Sequence, residues 1–299
     1  MSAHTSPLDS FLAERPRLFA IAYRMLGTRQ DAEDILQDAW LRWQASDLDA
    51  IVNPQAWLTT AVTRLAIDRL RMAQTARQHY PGSWLPEPLV EPIDHADPLH
   101  LLARADELSL ALLWVLERLA PEERAAFLMR RVFESDYADI AQSLGKSEAA
   151  CRQLVHRASL RVQDARPRLP ATHAAHQDLL RRFIQAAQQQ DREAMQGLFT
   201  PEVSLVGDGG GKVRSVHRPL QGARRIADLF FVVHRRHARQ LTYSLGWVNG
   251  EPGLLRYLDG QLESVIGVRF ANQRIAGFYS VRNPDKLTGV PIALQHWRP

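Results

Sequence analysis

The chain reads as a multidomain protein, with two all-α units followed by an α+β domain. Three observations carry that reading. Apolar residues recur at helical spacing in two separate stretches. A proline-rich, aperiodic segment, HYPGSWLPEPLVEPIDHADP, lies between them. After His173 the pattern changes to short strand-like runs divided by Asn249-Gly250 and Asp259-Gly260, which are turn signals. The expected boundaries are a helical unit over 1–79, a linker over 80–104, a helical unit over 105–168 and the α+β domain over 175–299.

In the first unit, a helix is expected to follow Pro16 and to stop at Gly27. Thr28 then opens a second helix, in which Ala32, Ile35, Leu36, Ala39, Trp40 and Trp43 form one apolar side. Asp31, Asp34 and Asp38 lie along another stripe of it. Like charges at i and i+4 cost a few tenths of a kcal/mol, roughly, in an isolated helix. The stripe therefore either serves the helix dipole, with Arg42 offsetting Asp38, or awaits an external basic partner. Asn53-Pro54 breaks the chain before a third helix over Gln55–Arg77. Leu58, Ala61, Val62 and Leu65 form its core side, and Arg64, Asp68 and Arg71 share another, with Arg69 close by. Such a face is commonly a solvated, salt-bridged one. Arginines near Trp57 can equally hold phosphates while an aromatic stacks on an unpaired base.

The second unit holds the most informative stretch, Asp136–Val162, which reads as a helix-turn-helix. Asp136 can cap its first helix, Leu144-Gly145 ends it, and Ser147 can cap the second. In that second helix Cys151, Leu154, Val155 and Ala158 share one arc, and Arg152, Gln153, His156 and Arg157 fall on the opposite arc. Arg and Gln can each make paired hydrogen bonds to guanine and adenine edges in the major groove. An ordinary amphipathic pair with a solvated basic side has the same pattern.

For the last domain, a helix is expected from about Ala175 to Leu198 and another over Gly222–Arg239. Strands are expected at Val203–Val206, Leu241–Val248, Gly253–Leu258, Leu262–Phe270 and Arg274–Val281, forming an antiparallel sheet whose curvature leaves a pocket. The loop Gly207–Val213 invites comparison with a phosphate-binding loop. It is one residue short, and Val213 stands where a hydroxyl should hold Mg²⁺. Asp208, Asp228, His217 and His234 are available for acid–base work, but nothing marks a general-base constellation, and the chain reads as non-enzymatic. No metal-ligand spacing appears among the histidines, and no cofactor is expected.

The whole-chain balance limits the partners. Of 299 residues, 45% are hydrophobic and one is cysteine, which fits a globular protein of a reducing cytoplasm without disulfides. There is no signal-peptide pattern at the N-terminus and no apolar run of membrane-spanning length. Net charge is only +4, but basic residues cluster at Arg64–Arg77 and Lys146–Arg168, while Thr28–Gln44 is acidic. That map suits contact with nucleic acid at two places and with a basic protein at a third.

These residues resemble a family. AYRMLGTRQDAEDILQDAWLRW with NPQAWLTTAVTRLAIDRLR is similar to sigma region 2, and LERLAPEERAAFLMRRVFESDYADIAQSLGKSEAACRQLVHRA is similar to region 4. Both point to bacterial sigma factors of the extracytoplasmic-function group. WLPEP at Trp84–Pro88, DGGGK at Asp208–Lys212 and NPDKL at Asn283–Leu287 look like the signatures of members with a fused C-terminal SnoaL-like domain of cystatin-like cone fold. The resemblance implies core RNA polymerase and promoter DNA as partners, with docking on the β′ clamp helices and the β flap. It implies that Asp31, Asp34 and Asp38 meet the polymerase. Asn53, Trp57, Arg64, Asp68, Arg69 and Arg71 would take the −10 element, and Ser147, Arg152, Gln153, His156 and Arg157 the −35 element. Trp84, Leu85 and Pro86, with Asp208, Gly209, Gly210, Gly211 and Lys212 and with Asn283, Pro284, Asp285, Lys286 and Leu287, would form regulatory loops. A small ligand in the C-terminal pocket is left open.

Overall fold

The computed structural model describes residues 6–92, 109–162 and 172–296. Residues 93–104 of the expected linker, 105–108 and 163–168 of the second helical unit, and 297–299 lie outside the described residues. Two compact units result: Met1–His79 with Val115–Asp164, and Tyr80–Trp114 with Ala165–Pro299.

In the first unit, α1 (Pro7–Leu26) starts nine residues before the expected Pro16, capped by Ser6 and with Pro7 in its first turn. Pro16 is tolerated inside it. The lost bond is the one to the carbonyl of Leu12, a residue 49% exposed, so water can take the acceptor. Gly27, at φ 77°, ends the helix as expected. Thr28 caps α2 (Arg29–Gln44), and α3 (Pro54–Gln78) follows a short 3₁₀ turn over Leu48–Ala50. Leu18, Tyr23, Leu26, Ile35, Trp43 and Leu58 are buried in this core.

In the second unit, a short strand β1 (Val90–Pro92) comes first. The helix α4 (Leu110–Leu116) precedes the first unit's second portion, which holds α5 (Pro121–Arg131), α6 (Tyr137–Leu144) and α7 (Glu148–Val162). Asp136 caps α6, and Gly145 closes it at φ 63°. Ile140, Cys151, Leu154 and Val155 pack on Ala126 and Met129 of α5.

The remaining elements complete the α+β domain. α8 (His173–Gln188) and α9 (Arg192–Gly197) replace the single helix expected to Leu198, because Gln190 turns to φ 57° and Asp191 caps a new helix. Then come β2 (Phe199–Asp208), β3 (Leu220–Gln221), α10 (Ala223–His237), β4 (Leu241–Val248), β5 (Glu251–Leu258), β6 (Gln261–Ala271) and β7 (Arg274–Val281). The sheet order is β1-β4-β5-β6-β7-β2-β3. It is not wholly antiparallel, since β2 runs parallel to β7, with Leu205 opposite Phe278 and Asp208 opposite Val281. The intervening helix α10 and four further strands, β3 to β6, allow that crossover; a hairpin could not. Asn249-Gly250 and Asp259-Gly260 take positive φ at both positions, as a two-residue hairpin turn requires, and so do Asn272 and Gln273. Phe183, Phe199, Phe230 and Phe278 pack together, tilted or edge to face, in the domain core.

Candidate nucleic-acid interface and linker clamp

The arcs of α7 are sorted as its spacing predicts. Cys151, Leu154, Val155 and Ala158 are buried, and Arg152, Gln153, His156 and Arg157 are exposed together. Two of these cations are already partnered. Arg152 bonds Glu148 at 2.6 Å one turn back and lies over the Tyr137 ring, and Arg157 donates to Glu123 at 3.1 Å. Arg161 also donates to Glu123, at 2.6 Å. Ser147 caps α7 through its hydroxyl, which accepts from the Ala150 amide. A helix start of this kind leaves amides facing outward for an anion.

The residues expected at the −10 element do not form one open face. Asn53 caps α3, its Oδ1 accepting from the Ala56 amide, and Trp57 packs on Trp43 with centroids 5.4 Å apart. Beside Asn53 stands Val52, fully exposed, which sequence reading passed over because an isolated valine in a turn has no periodic signal. Arg69 turns to α2 instead, lying 3.5 Å from Asp34 and 3.7 Å from Asp31. Asp31 also receives the Thr28 hydroxyl, which leaves Asp38 as the exposed acid of that stripe. Arg64 reaches across to α6, donating to the carbonyls of Ser143 at 2.8 Å and Gln142 at 2.7 Å. Arg71 bridges Asp68 and Glu122. Glu122 also pairs with Lys146; that hydrogen bond is the main reason its carboxyl is held below the usual range. At the other end of α3, Arg77 and Arg124 converge on the Glu117 carboxylate, and Arg124, 1% exposed, donates also to the Arg24 carbonyl.

In the second unit the three signature loops meet around one carboxylate. Asp208 is fully buried and accepts four hydrogen bonds: the Tyr80 hydroxyl at 2.6 Å, the Leu85 amide at 2.9 Å, the Gly210 amide at 3.0 Å and the Lys286 ammonium at 2.8 Å. Lys286 donates as well to the Leu85 carbonyl and lies 3.9 Å from the centroid of the Trp84 ring. Asn283 donates to the Tyr80 oxygen and caps the 3₁₀ turn Pro284–Lys286. Lys212 pairs with Asp285 at 2.6 Å. The glycines are needed for this approach. A Cβ on Gly210 would fall 2.4 Å from the Asn283 side chain, and one on Gly211 would fall 2.7 Å from Pro81, with both residues at positive φ. Gly209 and Leu287 complete the loops, and Pro86 continues the extended segment into β1, which pairs with β4. Burial and the neighbouring Asp208 raise the Tyr80 hydroxyl well above its ordinary range, so it stays a donor.

Comparison with known proteins then decides the family. Residues 11–75 match Sigma-70 region 2, and residues 109–162 match Sigma-70, region 4. Over 98% of this chain and 96% of the relative, it is 36% identical to the ECF RNA polymerase sigma factor SigJ of Mycobacterium tuberculosis. The chain is an ECF RNA polymerase sigma factor. This sigma factor is also 29% identical to the probable ECF RNA polymerase sigma factor SigI of the same species, over 96% of its length and 97% of the relative. Its structure superposes on the crystal structure of Mycobacterium tuberculosis SigJ with a TM-score of 0.78 at 34% identity, covering 95% of this chain and 99% of the other. The function of the family is promoter recognition and transcription initiation, and this sigma factor carries both helical regions that serve it, with a C-terminal α+β domain besides. Among the described residues no helix is long and apolar enough to cross a membrane.

Proposed function

We propose that this sigma factor reads the −35 element with Arg152, Gln153, His156 and Arg157, and the −10 element with the loop at Val52-Asn53 and the start of α3. The carrying observation is the two-sided α7, with four groups able to contact bases or phosphates exposed above a buried apolar arc. The arginines and Gln153 supply base-edge contacts, and Ser147 with the α7 amides holds a phosphate. Val52 wedges its apolar side chain against an unpaired base, and Trp57, seated on Trp43, supports the loop. Asp38, with Asp31 and Asp34 beside it, docks on the β′ clamp helices of core polymerase, and the α5–α7 unit contacts the β flap. The site of action is the cytoplasm, where polymerase and chromosome are.

Arg64 and Arg71 are occupied by α6 and by Glu122, so capture of the −10 strand requires their release. We assign the timing of that release to the C-terminal domain, which acts as a regulator and not as an enzyme. Support comes from its hold on Tyr80 and Leu85, the residues that follow α3 in the chain. Run-off transcription with purified core polymerase tests both readings. Gln153→Ala should cost about 1–3 kcal/mol of discrimination at one −35 base pair. A uniform loss across all −35 variants would reject base reading by Gln153. Deletion of 175–299 should change promoter output; identical output from full-length and truncated protein would reject regulation.

A further inference from the structure

The C-terminal domain contains a cavity of about 600 Å³, within the range of small-molecule sites. Its wall is apolar, built by Leu205, Val216, Leu229, Phe230, Val233 and Leu241. Its charge is one-sided: Arg214, Arg236, Arg256 and Arg282 line it against a single carboxylate, Glu263. Arg256 binds one oxygen of Glu263 through Nε and Nη2 at 2.8 and 2.6 Å, and Arg282 binds the other oxygen. Two guanidiniums on one carboxylate leave a net positive charge against the apolar wall. The Arg282 Nε is buried with no hydrogen-bond partner. Buried donors of a charged group left unpaired are costly, and a small rotation of this guanidinium toward an anion in the cavity would relieve the cost.

The same geometry argues against acid–base chemistry at this place. Burial alone would raise the Glu263 carboxyl, but Arg256 and Arg282 outweigh it and hold it below the usual range. A carboxylate so stabilised, with both oxygens occupied, is a weak base.

We propose that this cavity binds a small organic monoanion, an apolar body with one carboxylate-type head, the body against Leu229 and Val233 and the head toward the arginines. This goes beyond promoter reading and does not depend on it. The occupant would bear on the linker clamp directly. Gly207 and Arg282 line the cavity, and the Arg282 amide donates to the Asp208 carbonyl at 2.7 Å.

The test titrates the full-length protein calorimetrically with decanoate below its micellar range, and with decanol and decylammonium as neutral and cationic counterparts. Expected are one saturable decanoate site per chain, affinity about tenfold or more above that for decanol, loss of binding in Val233→Trp and weakening in Arg236→Glu. Circular dichroism checks that each variant folds. If Val233→Trp does not fold, the head-group series and Arg236→Glu decide. Unsaturable uptake, equal affinity for the three probes, or Arg236→Glu binding like the parent chain would overturn the proposal.

Discussion

The contact of α3 with α5 and α6 and the grip on Tyr80 and Leu85 use similar groups in opposite surroundings. In the first, Arg64, Arg71, Glu122 and Lys146 meet at a partly exposed surface, where water competes for every bond. In the second, Asp208 and Lys286 are 0% and 8% exposed, and each bond replaces hydration that is already lost. Bridges of the first kind are cheap to exchange for DNA phosphates, whereas the second kind holds until something rearranges it. The function proposed above uses both: surfaces that let go when a promoter arrives, and a hold that keeps the C-terminal domain on the chain segment after α3. The first unit itself contains one contact of the second kind, at Glu117.

The largest effect should come from Asp208→Ala, which leaves the buried Lys286 ammonium without its carboxylate and removes the acceptor of four donors. A loss of about 3–5 kcal/mol is expected in denaturant unfolding of the full chain; a loss below about 1 kcal/mol would place this clamp with the exposable bridges. Glu117→Gln comes next. It keeps the shape but leaves Arg77 and Arg124 without their carboxylate, at about 2–3 kcal/mol in the same measurement.

Acid probes the core of the C-terminal domain, outside both contacts. His176 lies flat on Phe270 with centroids 3.9 Å apart, and burial, with help from His173, lowers its pKa from 6.5 to about 4. The unfolded chain therefore takes up this proton first. The stability contributed by neutral His176 is complete above pH 6.5 and is lost progressively as pH falls toward about 4. His234, buried with both ring nitrogens unpartnered, is lowered by burial and by Arg256 and acts in the same direction. Unfolding curves between pH 7 and 4.5 should show the decline, and His176→Phe should flatten it; an unchanged slope would count against this assignment. The smallest effect belongs to Glu122→Gln, which removes the carboxylate shared by Arg71 and Lys146 at a cost of about 1 kcal/mol or less. Raising salt should shrink the difference from the parent chain; a salt-independent loss would mean that the contact is sealed from water.

Much of this architecture is legible in local sequence, and the misses are instructive. The face of α7, the caps at Thr28 and Asp136, and the Asn249-Gly250 and Asp259-Gly260 turns are read correctly because each depends on residues within a turn or two. Pro16 misleads because a proline looks like a helix start, whereas here it sits inside one, a turn after the half-exposed Leu12. The family resemblance sets Arg69 beside Arg64 and Arg71, although its rotation about α3 carries it to Asp31 and Asp34. The parallel pairing of β2 with β7, and the strand made by Val90–Pro92, have no signal in spacing at all.

By itself, then, the amino-acid order determined which segments are helix or strand and which side of each is apolar, since periodicity is a property of neighbours. Only the tertiary structure decided the long-range partners of the charges. Asp208 meets Leu85 from 123 residues away and Lys286 from 78, and Arg64 meets Ser143 from 79. Those pairings follow from how whole elements pack around a core, and a carboxylate or guanidinium carries no local mark of the group it will face once water has been excluded.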